Sequence, residues 1–349
     1  LGYQSNQDIQ MKKNVALIYV FLLLTLTASG QGPAKPKFKI VGYYQLKAIP
    51  TTDLSTIPFD KLTHINLSFM NPDTLGNFKE DYTYVVPFIK AAHAKGVKVL
   101  PSICGGGSHP YYHFLLKDEN RTQFIKNLVD VAVKYGFDGI DVDIERRDID
   151  ENYEKFATEL SAALHVKKLL STTAIAILFK ESLTAKALAQ YDFVNIMSYD
   201  RTSPNQPENP GPHSLYAHAA YDLEYFHEVM KLPREKMILG VGFYGYGFGP
   251  DLKTPGITMN YNQLIADYPG AEFANQWYLP GGKIIYYDGI PGVKRKTQLA
   301  KQEAGGMMFW QLTGDAKGKK SLLNAIYEAA YNKEDVYKEE TYKKEGAEK

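Results

Sequence analysis

Residues 135–145 read YGFDGIDVDIE, and this stretch decides the fold. Tyr135 and Gly136 close a helical run, and a turn leads into a strand. Along that strand Asp141, Asp143 and Glu145 alternate with Ile140, Val142 and Ile144. A period of two puts the acids on one face and the apolar residues on the other. An acidic face on a strand whose other face is wholly apolar suits a closed barrel. There the apolar face packs on helices and the acids point into the interior, where charge is expensive. Three like charges in a row raise one another's pKa, so at least one is expected to hold a proton near neutral pH. Glu145 comes last, at the C-terminal end of the strand, where barrel active sites lie. A solvated acidic edge and a divalent-metal strand are the competing readings. The apolar partners weaken the first, and the lack of a nearby histidine or further carboxylate cluster weakens the second.

Outward from this strand the chain alternates. Short apolar runs at 39–44, 64–69, 97–103, 140–145, 170–174, 193–199, 238–244 and 306–311 read as eight strands. Helical spacing fills 84–95, 121–135, 151–164 and 215–230. Eight strands alternating with helices predict a (β/α)8 TIM barrel over residues 38–331. The open doubly wound alternative wants a Gly-rich phosphate turn after its first strand, and GYYQLKAIP offers none. The longest gap, between the seventh and eighth strands, holds WYLPGGKIIYYDG, which reads as a small hairpin insertion around Pro280. A single hairpin confined to about 248–285 predicts a shallow groove with few stacking subsites.

The flanks differ from this core. From Met11 the chain reads MKKNVALIYVFLLLTLTASGQ, with a basic start, an apolar middle and small residues before Gln31. This is the build of a secretory signal peptide. Its strictly apolar run of about 10 to 12 residues is short of the ~20 a spanning helix needs. Residues 1–30 are therefore assigned to upstream residues plus the signal, 31–37 to a Pro/Lys linker and 332–349 to a charged disordered tail. Export to the periplasm or the extracellular space is expected, with no membrane span in the mature chain.

The net charge of +1 provides no single-sign field to recruit nucleic acid. Of 349 residues 44% are hydrophobic, enough for a large core. The single cysteine, Cys104, excludes an intrachain disulfide and a Cys-based structural zinc site. His109 and His113 lack the HExxH pattern and are read as surface residues. No cofactor and no metal are expected, and the chain is read as a monomer.

Residues 138–145, DGIDVDIE, match the DGxDxDxE signature of glycoside hydrolase family 18, the chitinases and endo-β-N-acetylglucosaminidases. Further pieces resemble that family where its strands end: Ser102-Ile103-Cys104-Gly105-Gly106 (SxGG), Met197-Ser198-Tyr199-Asp200 (MxYD), Gly242-Phe243-Tyr244-Gly245 and Gly306-Met307-Met308-Phe309-Trp310. The resemblance covers roughly residues 38–330. It departs from the family at Ile144, where many chitinases have Trp, and at Cys104, which stands at the first Gly position of SxGG. Arg146 and Arg147 also follow the acid.

The resemblance implies substrate-assisted, retaining hydrolysis of β-1,4-linked N-acetylglucosamine glycans. Glu145 would be acid and then base, while the substrate's acetamido oxygen is the nucleophile. Asp143 would orient the acetamido group, Asp141 would share a proton with Asp143, and Tyr199 would hold the acetamido carbonyl. Trp310 would floor the cleavage site. Tyr43, Phe69, Met197, Asp200, Tyr244, Gly105 and Trp277 are the further candidates for substrate contact. Tyr44 is a weaker one. Asp138 and Ser102 are read as structural. Three other readings stay open at this point. They are an endo-β-N-acetylglucosaminidase acting on N-glycan cores, a chitinase-like protein that binds sugar without cleaving it, and a metal-dependent phosphoesterase.

Overall fold

The computed structural model describes residues 38–331. The expected signal peptide, linker and tail lie outside the described residues. Eight parallel strands close into a barrel: β1 (Lys39–Gln45), β2 (His64–Ser68), β3 (Lys98–Cys104), β4 (Gly139–Asp143), β5 (Leu170–Ile175), β6 (Phe193–Ile196), β7 (Met237–Gly242) and β12 (Gly306–Trp310). β12 pairs with both β1 and β7, so no barrel edge is left unpaired. The surrounding helices are α1 (Val86–His93), α2 (Tyr111–Leu115), α3 (Asp118–Tyr135), α4 (Tyr153–Val166), α5 (Ala185–Ala189), α6 (Tyr216–Glu228), α8 (Ile290–Glu303) and α9 (Leu322–Tyr331). α3 ends as its sequence requires. Gly136 takes a left-handed conformation (φ 78°), and its N–H bonds the Ala132 carbonyl at 3.1 Å.

The core divides into two apolar clusters, one on each face of the barrel wall. The larger lies between strands and helices and takes Ile140, Val142 and Ile144 from the β4 segment. The smaller contains Val41, Tyr43, Ala174, Phe193, Tyr199, Ile238, Tyr244 and Met308, with Trp310 packed against it. Asp141 and Asp143 face the other way from their apolar neighbours and are buried. The period-two reading of this strand therefore holds. Its ladder ends at Asp143, so Glu145 stands just beyond it.

Two expectations about the insertion need correction. The seventh strand does not run to Tyr244. It stops at Gly242, and Tyr244–Phe248 begins a second sheet as β8. The hairpin forms, as β10 (Gln276–Leu279) and β11 (Lys283–Tyr286), but it is half of a four-stranded antiparallel sheet ordered β10-β11-β8-β9. β9 is Ile257–Asn260, and α7 (Tyr261–Asp267) follows it directly. β8 and β9 escaped notice because the run 244–248 alternates aromatics with glycines and β9 alternates half-buried with exposed residues. Neither has the apolar continuity of a barrel strand. Among the described residues no helix is long and apolar enough to cross a membrane.

Candidate active site

A cavity of about 440 Å³ opens at the C-terminal end of the barrel strands. Its lining includes Asp143, Glu145, Tyr199, Asp200, Trp310 and Phe69, brought from four different strand ends. Met197, Tyr244 and the unexpected Gly106, Arg146, Tyr246 and Asn260 complete much of the wall.

Asp141 lies deepest and is saturated. Its Oδ2 accepts from the Tyr43 hydroxyl (2.7 Å) and the Ser102 hydroxyl (2.8 Å). Its Oδ1 accepts from Thr172 (2.6 Å) and from the Asn195 amide (3.3 Å). Ser102 and Thr172 reach it because they are its register neighbours on β3 and β5. Burial pushes the Asp141 carboxyl up, and these four donors pull it back down. The expected proton sharing with Asp143 is absent from this network, because all four partners come from other strands. Tyr43 likewise is not on the cavity wall. It is fully buried, bonded to Asp141, and its ring lies 5.4 Å from that of Trp310.

Asp143 is the opposite case. It is buried on the cavity wall, and its Oδ1 has no hydrogen-bond partner among the described residues. Burial, then the charges of Glu145 and Asp141, hold its carboxyl well above the usual range. Ionisation of this carboxyl is thus disfavoured, and one of its oxygens is left unused. Glu145 is pushed up to about 7, chiefly by burial and further by Asp200 and Asp148, while Arg146 pulls it down. The Arg146 Nε lies 4.0 Å from Glu145 Oε2, and its guanidinium sits 5.7 Å from the Phe179 ring centre. A carboxyl that titrates near 7 is suited to both giving and taking a proton at neutral pH.

Among the described residues, the hydrogen-bond partner of the Tyr199 hydroxyl is the Met308 sulfur, at 4.0 Å. Burial raises its pKa far above the ordinary value, so it remains a neutral donor. Asp200 is ionised. Burial works against this, but hydrogen bonding to His213, Tyr244 and Tyr246 outweighs burial and holds its carboxyl below the usual range. The two phenols both donate to Oδ1, Tyr246 at 2.8 Å. Trp310 stacks on Phe69, with ring centres 5.6 Å apart and planes 20° from parallel. Gly105 lies behind this pair, not on the wall. A Cβ there would stand 2.3 Å from the Phe69 ring, and its φ is +89°. Trp277 packs against the outer core from β10 and does not reach the cavity. Asp138 anchors the opposite end of β4, accepting from the Val99 N–H at 2.8 Å and contacting His93 at 2.7 Å.

The residues missed by the sequence reading have several origins. Tyr246, Thr258 and Asn260 come from β8 and β9, strands that were not expected. His213 sits in the loop before α6, where no spacing rule marks it. Arg146 was visible only by its place beside Glu145.

The family model for glycosyl hydrolases family 18 matches residues 39–315. This chain belongs to glycosyl hydrolase family 18. Among solved family 18 structures, the chitinase ChiB from the chitin utilization locus of Flavobacterium johnsoniae is similar at 31% identity and a TM-score of 0.74. That match covers 85% of this chain and 94% of the other. A class V chitinase of Medicago truncatula is 28% identical over 318 residues, covering 75% of this chain and 82% of its own length. A chitinase-like effector of Moniliophthora perniciosa is also 28% identical, over 320 residues, covering 81% and 71%. The chain is thus a family 18 chitinase or chitinase-like protein. Its closed barrel is the fold of that family, and Asp141 and Asp143 of its DGxDxDxE strand face the barrel interior.

Proposed function

We propose that this protein is a retaining glycoside hydrolase that cleaves β-1,4-linked N-acetylglucosamine glycans, chitin or its oligosaccharides, by substrate-assisted catalysis. The observation that carries the reading is the buried, unpartnered Oδ1 of Asp143 on the wall shared with Tyr199. A two-carboxylate mechanism needs a free, ionised nucleophile. Burial and the neighbouring acids disfavour ionisation of Asp143, and Asp200 is tied up by two phenols. An acetamido group on the substrate supplies both the missing nucleophile and the missing hydrogen-bond partner. Asp143 would orient it, and Tyr199 would donate to its carbonyl. Glu145 protonates the glycosidic oxygen and then deprotonates the incoming water, with Trp310 beneath the sugar ring. Export through the segment 11–31 would place this activity outside the cytoplasm. An N-terminus near Gln31 on the exported chain would support that placement.

The test is proton NMR of products released from chitooligosaccharides. The first-formed anomer should be β, and fully deacetylated chitosan should not be cut. Cleavage of chitosan or cellulose at comparable rates would overturn the mechanism. A parallel digest of a high-mannose glycoprotein separates chitin-type from N-glycan-core activity. Similarity to chitinase-like effectors favours one second reading, sugar binding without hydrolysis. Retained binding with no detectable product would establish it.

A further inference from the structure

Behind the loop that carries Glu145 lies a cluster of different chemistry. Cys104 ends β3, His109 sits in the loop that follows, and Asp148 lies three residues after Glu145. One ligand atom from each lies within 4.8 Å of the other two. Cys104 Sγ is 3.6 Å from His109 Nδ1, and Asp148 Oδ2 is 3.9 Å from the same nitrogen. Cys104 and Asp148 are buried, and the His109 ring is partly exposed. His109 is therefore not the plain surface residue its sequence context predicts.

The arrangement does not suit a proton relay. A Cys–His–Asp relay places thiol and carboxylate on opposite ring nitrogens. Here both approach Nδ1, and one nitrogen cannot serve both. Three donor atoms facing one point is the geometry of a ligand set. A tetrahedral zinc with S and N ligands at its usual bond lengths separates those atoms by about 3.6 Å, as found between Sγ and Nδ1. Asp148, whose Oδ2 is 3.9 Å from Nδ1, would have to move closer to complete the set. Its orientation is held independently, since Oδ2 accepts the His109 backbone N–H at 2.8 Å and Oδ1 faces His113 Nε2 at 3.9 Å. His113 is itself bonded to Asp150 at 2.8 Å. Such outer contacts fix ligand direction at metal sites.

Cys104 also occupies a position its backbone would give to glycine. Its φ is 72°, a left-handed conformation that disfavours a side chain. The resembling motif has glycine there, so the thiol departs from that motif.

We propose that Cys104, His109 and Asp148 form a binding site for a thiophilic divalent cation, best matched by zinc. The set of one thiolate, one imidazole and one carboxylate leaves a fourth position for water. It differs from the multi-cysteine structural sites that a single cysteine rules out. A cation held there would tie the loop after β3, which carries Gly106, to the loop after β4, which carries Glu145. Both loops reach the cavity wall.

Cobalt titration of the metal-free full chain is the test, read by absorbance. A tetrahedral cobalt site with a thiolate ligand gives a near-ultraviolet charge-transfer band and strong visible bands. One equivalent should saturate them, and zinc should bleach them. Cys104→Gly, which suits the backbone, should abolish the charge-transfer band. His109→Ala should weaken binding at least ~10-fold while leaving the backbone contact to Asp148. Circular dichroism confirms that each variant is folded. No thiolate band in the native chain overturns the proposal, and so does a band of unchanged affinity in folded His109→Ala.

Discussion

Glu145 and Asp143 stand two residues apart, yet their surroundings give them different work. Asp143 is enclosed and has no partner for one oxygen, whereas Glu145 meets the cavity and titrates near 7. Glu145→Gln is expected to lower hydrolysis by ~10²–10⁴-fold or more while oligosaccharide binding persists, measured by turnover and calorimetry. Near-normal turnover would remove Glu145 from the role of acid. In the native chain kcat/KM should fall as pH rises through about 7, where the carboxyl loses the proton it must donate. The same shift bears on stability. A carboxyl whose folded pKa lies above its ordinary 4.5 contributes stability below that value and loses it as pH rises through about 7. Glu145→Gln cannot ionise. It should therefore be more stable than the native chain at pH 8, by roughly 3 kcal/mol at most, with no such gain at pH 4. Urea unfolding at the two pH values checks this, and a gain confined to pH 4 would reverse the assigned sign.

The barrel strands act through register. Asp141 draws its four donors from β1, β3, β5 and β6, so one side chain ties strands around much of the barrel interior. Asp141→Ala would leave those donors buried without an acceptor. A loss of about 3–5 kcal/mol is expected, measured by urea unfolding. A loss under about 1 kcal/mol would show that water replaces the carboxylate. The end of β3 acts by close approach. Gly105→Ala should cost more than about 1 kcal/mol, because its φ is +89° and its Cβ would strike the Phe69 ring. Displacement of Phe69 from Trp310 should also change the tryptophan fluorescence. An unchanged spectrum and stability would mean that Phe69 has room to retreat.

For the whole molecule the decisive feature is one-sided walling. The β8–β9 part of the insertion contributes Tyr244, Tyr246, Thr258 and Asn260 to the cavity, while its hairpin with Trp277 stays outside. That is more wall than a lone hairpin would give, and Trp310 stacks on Phe69 at the cavity floor. Few stacking platforms mean faster release after each cut. Short soluble oligosaccharides should therefore be better substrates than insoluble chitin. The check is the early product ratio on insoluble chitin at low enzyme load, where a persistent disaccharide excess would show a deeper, clinging groove.

Period and order along the chain were enough to specify the barrel, the inward acids of β4 and the position of Glu145 at a strand end. The reason is that alternation and strand order are local properties, written residue by residue. The end of α3 was equally legible, because Gly136 acts over a few residues, whereas β4 stops at Asp143, two residues short of its expected end. What only the tertiary structure decided depends on which strands become neighbours. Asp141 became a saturated anchor because Ser102, Thr172, Tyr43 and Asn195 converge on it from four other strands. Tyr43 moved beneath the site and Gly105 behind it for the same reason, while Tyr246 and Asn260 entered it. The approach of Cys104, His109 and Asp148 to one another belongs here too. Residues up to 44 positions apart meet only because β3 and β4 are adjacent and parallel, which sends both following loops to the same end of the barrel.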